Sequence, residues 1–275
     1  MLRKLMKHEL RATVRVMGPM LGLTLLAAVG GNIAVHGLLE TQSSFLDILG
    51  AFLLTASFVT IAASFVLSFV LMIRRFYQNL LRDEGYLMMT LPVSVHVHVL
   101  SKLFVSLLWA AATAIVMGLA MCILVFELEF VDLILHDLGE LLAGVEFSGL
   151  KLLDFAGQAA ILLAEIILLL AVADSCLCLH LYAAMAVGHS FTHHKGLFSV
   201  LAYFAMSFVW GTIRNGALHV FYRIAPNGIS LGLQNLSPFA ATHINMLALT
   251  VVTLIPAAVW YIVTTYCLKN RLNLG

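Results

Sequence analysis

Charged residues are scarce in this sequence. Only 11% of its 275 residues are Asp, Glu, Lys or Arg, whereas 62% are hydrophobic. Soluble globular domains carry about 25% charged residues, so this composition excludes that class. Strong period-two alternation of apolar and polar residues is also missing, which argues against an outer-membrane barrel. The sequence therefore predicts an all-α integral membrane protein.

Two further absences limit the chemistry. The sequence contains no G-x-x-x-x-G-K-[ST] phosphate loop, which excludes a P-loop nucleotide site in this chain. It has only four cysteines, all within predicted spans, and they are expected to be small buried hydrophobes. The Cys176-x-Cys178 spacing turns the two side chains about 200° apart on a helix, which suits neither a metal nor a disulfide.

Long charge-poor runs predict six transmembrane helices in a single transmembrane domain. A helix crosses the hydrocarbon core with roughly 20 apolar residues. The spans are expected at about 17–38, 48–75, 96–126, 155–187, 197–216 and 244–268. An external acidic segment at 127–154 carries seven carboxylates, on short helices at the outer leaflet or on a plain solvated face.

Basic residues are unevenly distributed between the two sides. With six spans both termini share one side, which holds twelve of the fifteen Lys and Arg residues. The other side has Lys151, Arg214 and Arg223. Loops rich in Lys and Arg stay in the cytoplasm, so we expect both termini there and an uncleaved first span.

The first sixteen residues alternate apolar and basic positions at helical spacing. This pattern predicts an amphipathic helix at 1–16 that lies in the membrane interface before the first span. The side chains expected to face lipid are Leu2, Leu5, Met6, Leu10 and Thr13, and those expected to face headgroup phosphates are Arg3, Lys4, Lys7, Arg11 and Arg15. A solvated basic tail that sets topology is the alternative.

The segment "RDEGYLMMTLPVS" between the second and third spans combines helix-forming and helix-breaking residues. Gly85 permits a bend, and Pro92 disfavours helix at Leu91. Ser94 can cap the next helix. The pattern predicts a short helix between two breaks, parallel to the membrane. The residues alone leave open whether this is a docking element or an ordinary connector.

The stretch "RFYQNLLRDEGYLMMTLPVSVHVHVLSK", residues 75–102, closely resembles the cytoplasmic loop of bacterial type-2 ABC exporter permeases of the Gram-positive type. Members carry a comparable "E-G-Y-L … T-L-P-V-S … S-K", which corresponds here to Glu84–Leu87, Thr90–Ser94 and Ser101-Lys102. The stretch "YAAMAVGHSFTHHKGLFSVLAYF" and the terminal "LKNRLNLG" are similar to the same family. Gly275 stands where relatives would have an acidic residue.

The resemblance implies a transporter subunit rather than an enzyme, in the bacterial cytoplasmic membrane. A separate ATP-binding cassette subunit would bind ATP and Mg, and this chain would bind no cofactor. A second permease copy or a related permease would complete the pathway for a peptide, drug or other amphiphile. The implied ATPase-coupling residues are Arg82, Asp83, Glu84, Gly85, Tyr86, Leu87, Met89, Thr90, Leu91 and Pro92, and a second cytoplasmic contact comprises His189, His193, His194 and Lys195. Lipid is the other partner, and no nucleic acid is expected.

Glu165 and Asp174 lie inside the predicted fourth span. A charge at mid-membrane costs about 2.5–3.5 kcal/mol on insertion scales, so each should face protein or water. They are expected at a pathway or dimer seam, or as hydrogen-bonded packing residues. A proton-coupled secondary transporter that uses these carboxylates is the alternative function. A membrane di-iron enzyme is a remote one, since "HSFTHH" resembles only one histidine box.

Overall fold

The structure, a computed structural model, describes residues 2–38, 44–81, 93–125, 136, 149–191, 193–224 and 238–270. Six long helices contain nearly all of these residues. They are α1 (Leu2–Ile33, continued by a π-helical stretch at Ala34–Leu38), α2 (Ser44–Leu81), α3 (Val95–Val125), α4 (Gly149–Gly188), α5 (Lys195–Ile224) and α6 (Pro238–Asn270). Each contains a stretch long and apolar enough to cross a membrane. The chain is therefore a multi-pass membrane protein.

The helices extend beyond the apolar runs that predicted them. α4 has 40 residues, about twice the length that crosses the hydrocarbon core. It begins at Gly149, so residues 149–154, which were expected in the external acidic segment, form the first turns of this helix. The rest of that segment, apart from residue 136, lies outside the described residues.

The N-terminal residues do not form a helix of their own. α1 runs without interruption from Leu2 to Ile33, with Pro19 inside it. Thr13 was expected to face lipid but is buried. Its hydroxyl oxygen accepts a hydrogen bond from Trp109 Nε1 at 2.8 Å. Met6 and Leu10 are partly buried against the same cluster as Trp109. The apolar side of this segment therefore packs against the protein.

The helical segments pack as two compact units. Unit one contains the described residues within 73–103 and 153–275, and unit two those within 2–72 and 104–152. α2 and α3 each contribute one part to each unit.

Unit two is held together by small and hydroxyl-bearing residues. The Thr24 and Ser64 hydroxyl oxygens lie 2.6 Å apart, and Ser57 Oγ donates to the Ala27 carbonyl oxygen at 2.6 Å. A Cβ on Gly31 would lie 2.8 Å from Ser57 Oγ, so α1 and α2 approach closely there. Close approach and interhelical hydrogen bonds are the usual means of joining helices in lipid, where apolar burial gives little advantage.

Unit one has a dense apolar core where α2 ends, α3 begins, and α4 and α6 end. Phe76 of α2 stacks on Tyr182 of α4, with ring centroids 3.7 Å apart and planes 5° from parallel. We call the buried residues of this core the basal cluster: Phe76, Leu80, Leu81, Val99, Leu103, Cys178, Leu179, Tyr182, Ala183, Ala186, Ala257, Trp260, Cys267 and Leu268.

Candidate functional site

The predicted coupling segment, residues 82–92, lies outside the described residues, but both of its flanks are described. α2 ends at the buried Leu81. The Ser94 carbonyl accepts the N–H groups of Val97 at 3.0 Å and His98 at 3.4 Å. A carbonyl that accepts the first helical hydrogen bonds marks the residue before a helix. Ser94 therefore occupies the N-cap position of α3, as the sequence predicted.

Both helices that flank the segment are anchored in the basal cluster. Phe76, Leu80 and Leu81 form the last buried turns of α2, and Val99 is buried on the first turns of α3. The described helix ends on both sides of residues 82–92 are therefore well packed. Close-packed protein interiors have low compressibility and transmit displacement.

Three polar residues in the first turns of α3 are also buried. His98, Ser101 and Lys102 are each no more than 5% exposed. His96 is exposed, and its Nδ1 lies 2.9 Å from the Tyr261 hydroxyl of α6. The side chains of His98 and Lys102 therefore point into the protein, although Lys102 was predicted among the basic residues of the cytoplasmic side.

The α4–α5 turn, which contains the predicted second contact, is tightly built. A Cβ on Gly188 would overlap Ser199, so α4 and α5 approach closely at this point. Phe191 stacks on Phe198 with ring centroids 4.4 Å apart. His194 adopts a φ of 52°, in the left-handed region that non-glycine residues seldom occupy.

The four predicted contact residues of this turn separate into two groups. His193 and His194 are exposed and Lys195 is half-buried, so these three are accessible from outside. His189 is only 2% exposed. Its Nδ1 donates to the Met185 carbonyl oxygen at 2.9 Å. His189 therefore supports the turn from within rather than presenting its ring at the surface.

His189 links this turn to α2 and lies in surroundings that lower its pKa. Its ring meets the ring of Tyr77 edge-on, with centroids 5.3 Å apart. Burial lowers the pKa of His189, the nearby charge of Lys195 lowers it further, and the hydrogen bond to Met185 opposes both effects. The C-terminal end of α2 therefore packs against the α4–α5 turn.

Glu165 has a partner that the sequence analysis missed. His243 Nδ1 of α6 lies 2.8 Å from Glu165 Oε2 of α4, within hydrogen-bonding and ion-pairing distance. The two side chains are 22% and 13% exposed for His243 and Glu165 respectively. The predicted sixth span began at about residue 244, so the sequence placed His243 outside the membrane and gave no signal for this pair. Pairing lowers the cost of keeping a carboxylate at membrane depth.

Asp174 has a different environment. Its Oδ2 accepts a long contact of 4.0 Å from Cys178 Sγ. Ser175, the next residue, donates to the Ala171 carbonyl oxygen. The His180 ring stacks between Tyr203 and Trp260. Asp174 and Glu165 are therefore not brought together, in agreement with their nine-residue spacing.

The described residues contain no group of three or more His, Cys, Asp or Glu side chains placed to hold a metal. The cysteines differ in burial. Cys178 and Cys267 are buried and Cys176 is half-buried, as expected for small hydrophobes. Cys122 is exposed on α3, contrary to that expectation.

No protein-family model, curated protein or solved structure matches this chain. The resemblance to exporter permeases therefore remains a prediction from the quoted motifs. The described residues that bear on it are those of the basal cluster and the α4–α5 turn.

Proposed function

We propose that this protein is the membrane subunit of an ATP-driven ABC exporter, with ATP bound and hydrolysed by a separate subunit. The observation that carries the proposal is the contact between the C-terminal end of α2 and the α4–α5 turn. These belong to the two longest segments that resemble exporter permeases. Tyr77 and Phe76, a few residues before the coupling segment, contact His189 and Tyr182 of the second segment.

This arrangement suits the transmission of force. A push on residues 82–92 would reach α2 and α3 at their anchored ends, and α4 through the Phe76–Tyr182 stack. Packed interfaces move between discrete arrangements rather than deforming smoothly. Closure of the ATPase pair would thus shift an equilibrium between inward-open and outward-open arrangements of two permease subunits. The cargo class that fits the proposal is a peptide, drug or other amphiphile.

Co-purification with a candidate ATP-binding cassette subunit, sought among the genes that neighbour the gene of this chain, tests the proposal. Glu84→Lys and Tyr86→Ala should weaken the complex roughly 30-fold or more, as expected for central contacts of an interface. They should also remove the stimulation of ATPase activity by the permease. Arg214→Glu is the matched control, because Arg214 is exposed and lies on the opposite side by span count. A complex and ATPase activity unaffected by both coupling variants would contradict the proposal.

A proton-coupled secondary transporter is the second candidate, and the Glu165–His243 contact favours it. Carboxylate and imidazole side chains at membrane depth are the usual members of proton relays in transporters, and this pair links two spans. Ethidium uptake into proteoliposomes, driven by a pH gradient without ATP, would support this function. Glu165→Gln should then abolish the uptake, whereas Asp174→Asn would show whether the second carboxylate takes part. Transport that requires ATP and survives Glu165→Gln would reject it.

A further inference from the structure

The N-terminal part of α1 presents a row of basic side chains on one side. Arg3, Lys4, Lys7, Arg11 and Arg15 are all exposed. The last four follow one another at intervals of three and four residues, which places them along one side of a helix. We call these five side chains the basic stripe.

The opposite side of the same helix is fixed against the protein. Glu9, Thr13 and Met17 are buried there, and Trp109 Nε1 donates to Thr13 Oγ1 at 2.8 Å. Glu9 is the sole acidic residue of 2–38 and lies on this buried side. The basic stripe therefore points away from the helices that pack against α1, with no acidic residue of α1 beside it.

The depth of the stripe follows from the apolar run behind it. Residues 16–38 carry no Asp, Glu, Lys or Arg, and as helix they span about 34 Å, slightly more than the roughly 30 Å hydrocarbon core. Arg15 then lies at the edge of the hydrocarbon, where lipid phosphates begin. Lys7 and Arg11 follow within about 12 Å along the axis, whereas Arg3 is about 18 Å from Arg15.

We infer that the basic stripe is a binding surface for anionic phospholipids. Arg15 and Arg11 contact headgroup phosphates, and Lys7, Lys4 and Arg3 attract the anionic surface from beyond the headgroup layer. The charge and the depth both select lipid over a soluble anion, because Arg15 and Arg11 are at phosphate level. The inference does not depend on the exporter proposal.

The test uses the full chain purified in dodecyl maltoside and titrated with phosphatidylglycerol, with bound lipid counted by native mass spectrometry. Each basic residue near an anionic surface strengthens binding about fivefold, so Lys7→Gln/Arg11→Gln/Arg15→Gln should weaken it on the order of a hundredfold. Arg3→Gln/Lys4→Gln should weaken it less. Arg214→Gln/Arg223→Gln, exposed on α5, should leave it unchanged.

A charge-preserving variant, Lys7→Arg/Arg11→Lys/Arg15→Lys, should retain binding and so separates loss of charge from loss of fold. Binding by the unaltered chain should also fall as salt is raised. Equal binding of phosphatidylcholine, or unchanged binding by the triple Gln variant, would overturn the inference. So would full displacement of lipid by glycerol phosphate, which indicates a soluble anion, or by a short DNA duplex, which indicates a nucleic acid.

Discussion

Replacing Gly188 by Ala should disrupt the close approach of α4 and α5. An added Cβ would overlap the Ser199 hydroxyl and backbone nitrogen and would lie 2.6 Å from Ser199 Cα. Carbon atoms in contact are normally about 3.5–4.0 Å apart, so the helices must separate by about 1 Å. The backbone of α5 cannot rotate away as a side chain would, so the whole turn must move.

The size of the effect follows from two opposing contributions. Overpacking of a tight contact costs about 1–3 kcal/mol, whereas Gly→Ala within a helix gains up to about 1 kcal/mol. The net loss should be about 1–2 kcal/mol, or roughly 2–8 °C in Tm for a chain of this size. Gly211→Ala is the matched control, because nothing lies within 4 Å of its added Cβ. That variant should keep or raise the Tm.

Thermal unfolding of both variants in the same detergent decides the question. If the Tm of Gly188→Ala equals or exceeds that of Gly211→Ala, the described approach of α4 and α5 is incorrect. Adding Ser199→Ala to Gly188→Ala should restore only part of the loss, since the backbone overlap remains. Complete restoration would mean that the side-chain hydroxyl alone causes the conflict.

Three other perturbations have expected outcomes in the same thermal assay. Burial lowers the pKa of His189 in the folded protein, so the unfolded chain takes up the proton first as the pH falls. The Tm should therefore decrease as the pH drops below about 6.5. In His189→Gln this decrease should be smaller. Trp109→Phe should lower the free energy of unfolding by about 0.6 kcal/mol, because it removes the hydrogen bond from Trp109 Nε1 to Thr13 Oγ1. The double variant with Thr13→Val should lose little more, because both changes remove the same hydrogen bond. Phe76→Ala should cost about 3–5 kcal/mol by emptying the space against Tyr182, whereas Phe76→Leu should cost less.

The number and order of the helices were predictable because apolar runs of span length have few alternative structures in lipid. Helix ends were less predictable, since a helix continues past the hydrocarbon until a residue stops it. Pro19 illustrates this: the first span was expected to begin at about residue 17, close to Pro19, yet α1 begins at Leu2 and runs through Pro19. Proline is tolerated inside membrane helices when neighbouring groups satisfy the freed backbone carbonyl.

Interhelical partners were the least predictable part of the candidate site. Glu165 attracted notice because a carboxylate at membrane depth is costly, but His243 lies 78 residues later in a segment rich in turn signals. Thr13 and His189 were assigned to lipid and to a partner surface because composition reveals polarity and not direction. Their burial depends on which side of the helix faces a neighbour, and the neighbours Trp109 and Tyr77 come from other helices.

The Glu165–His243 contact and the basal cluster are joined by the same two helices. α4 and α6 both end in the basal cluster, and Glu165 lies about 35 Å along α4 from Gly188. If α4 rotated against α6 about the basal cluster, the distance between the two helices would change most near Glu165 and His243. Their hydrogen bond, with Nδ1 and Oε2 2.8 Å apart, would break after a small displacement. In an exporter the pair would then form in one arrangement and break in the other. Glu165→Gln should therefore alter the balance between the two arrangements while leaving ATPase binding intact, whereas Glu84→Lys should do the reverse.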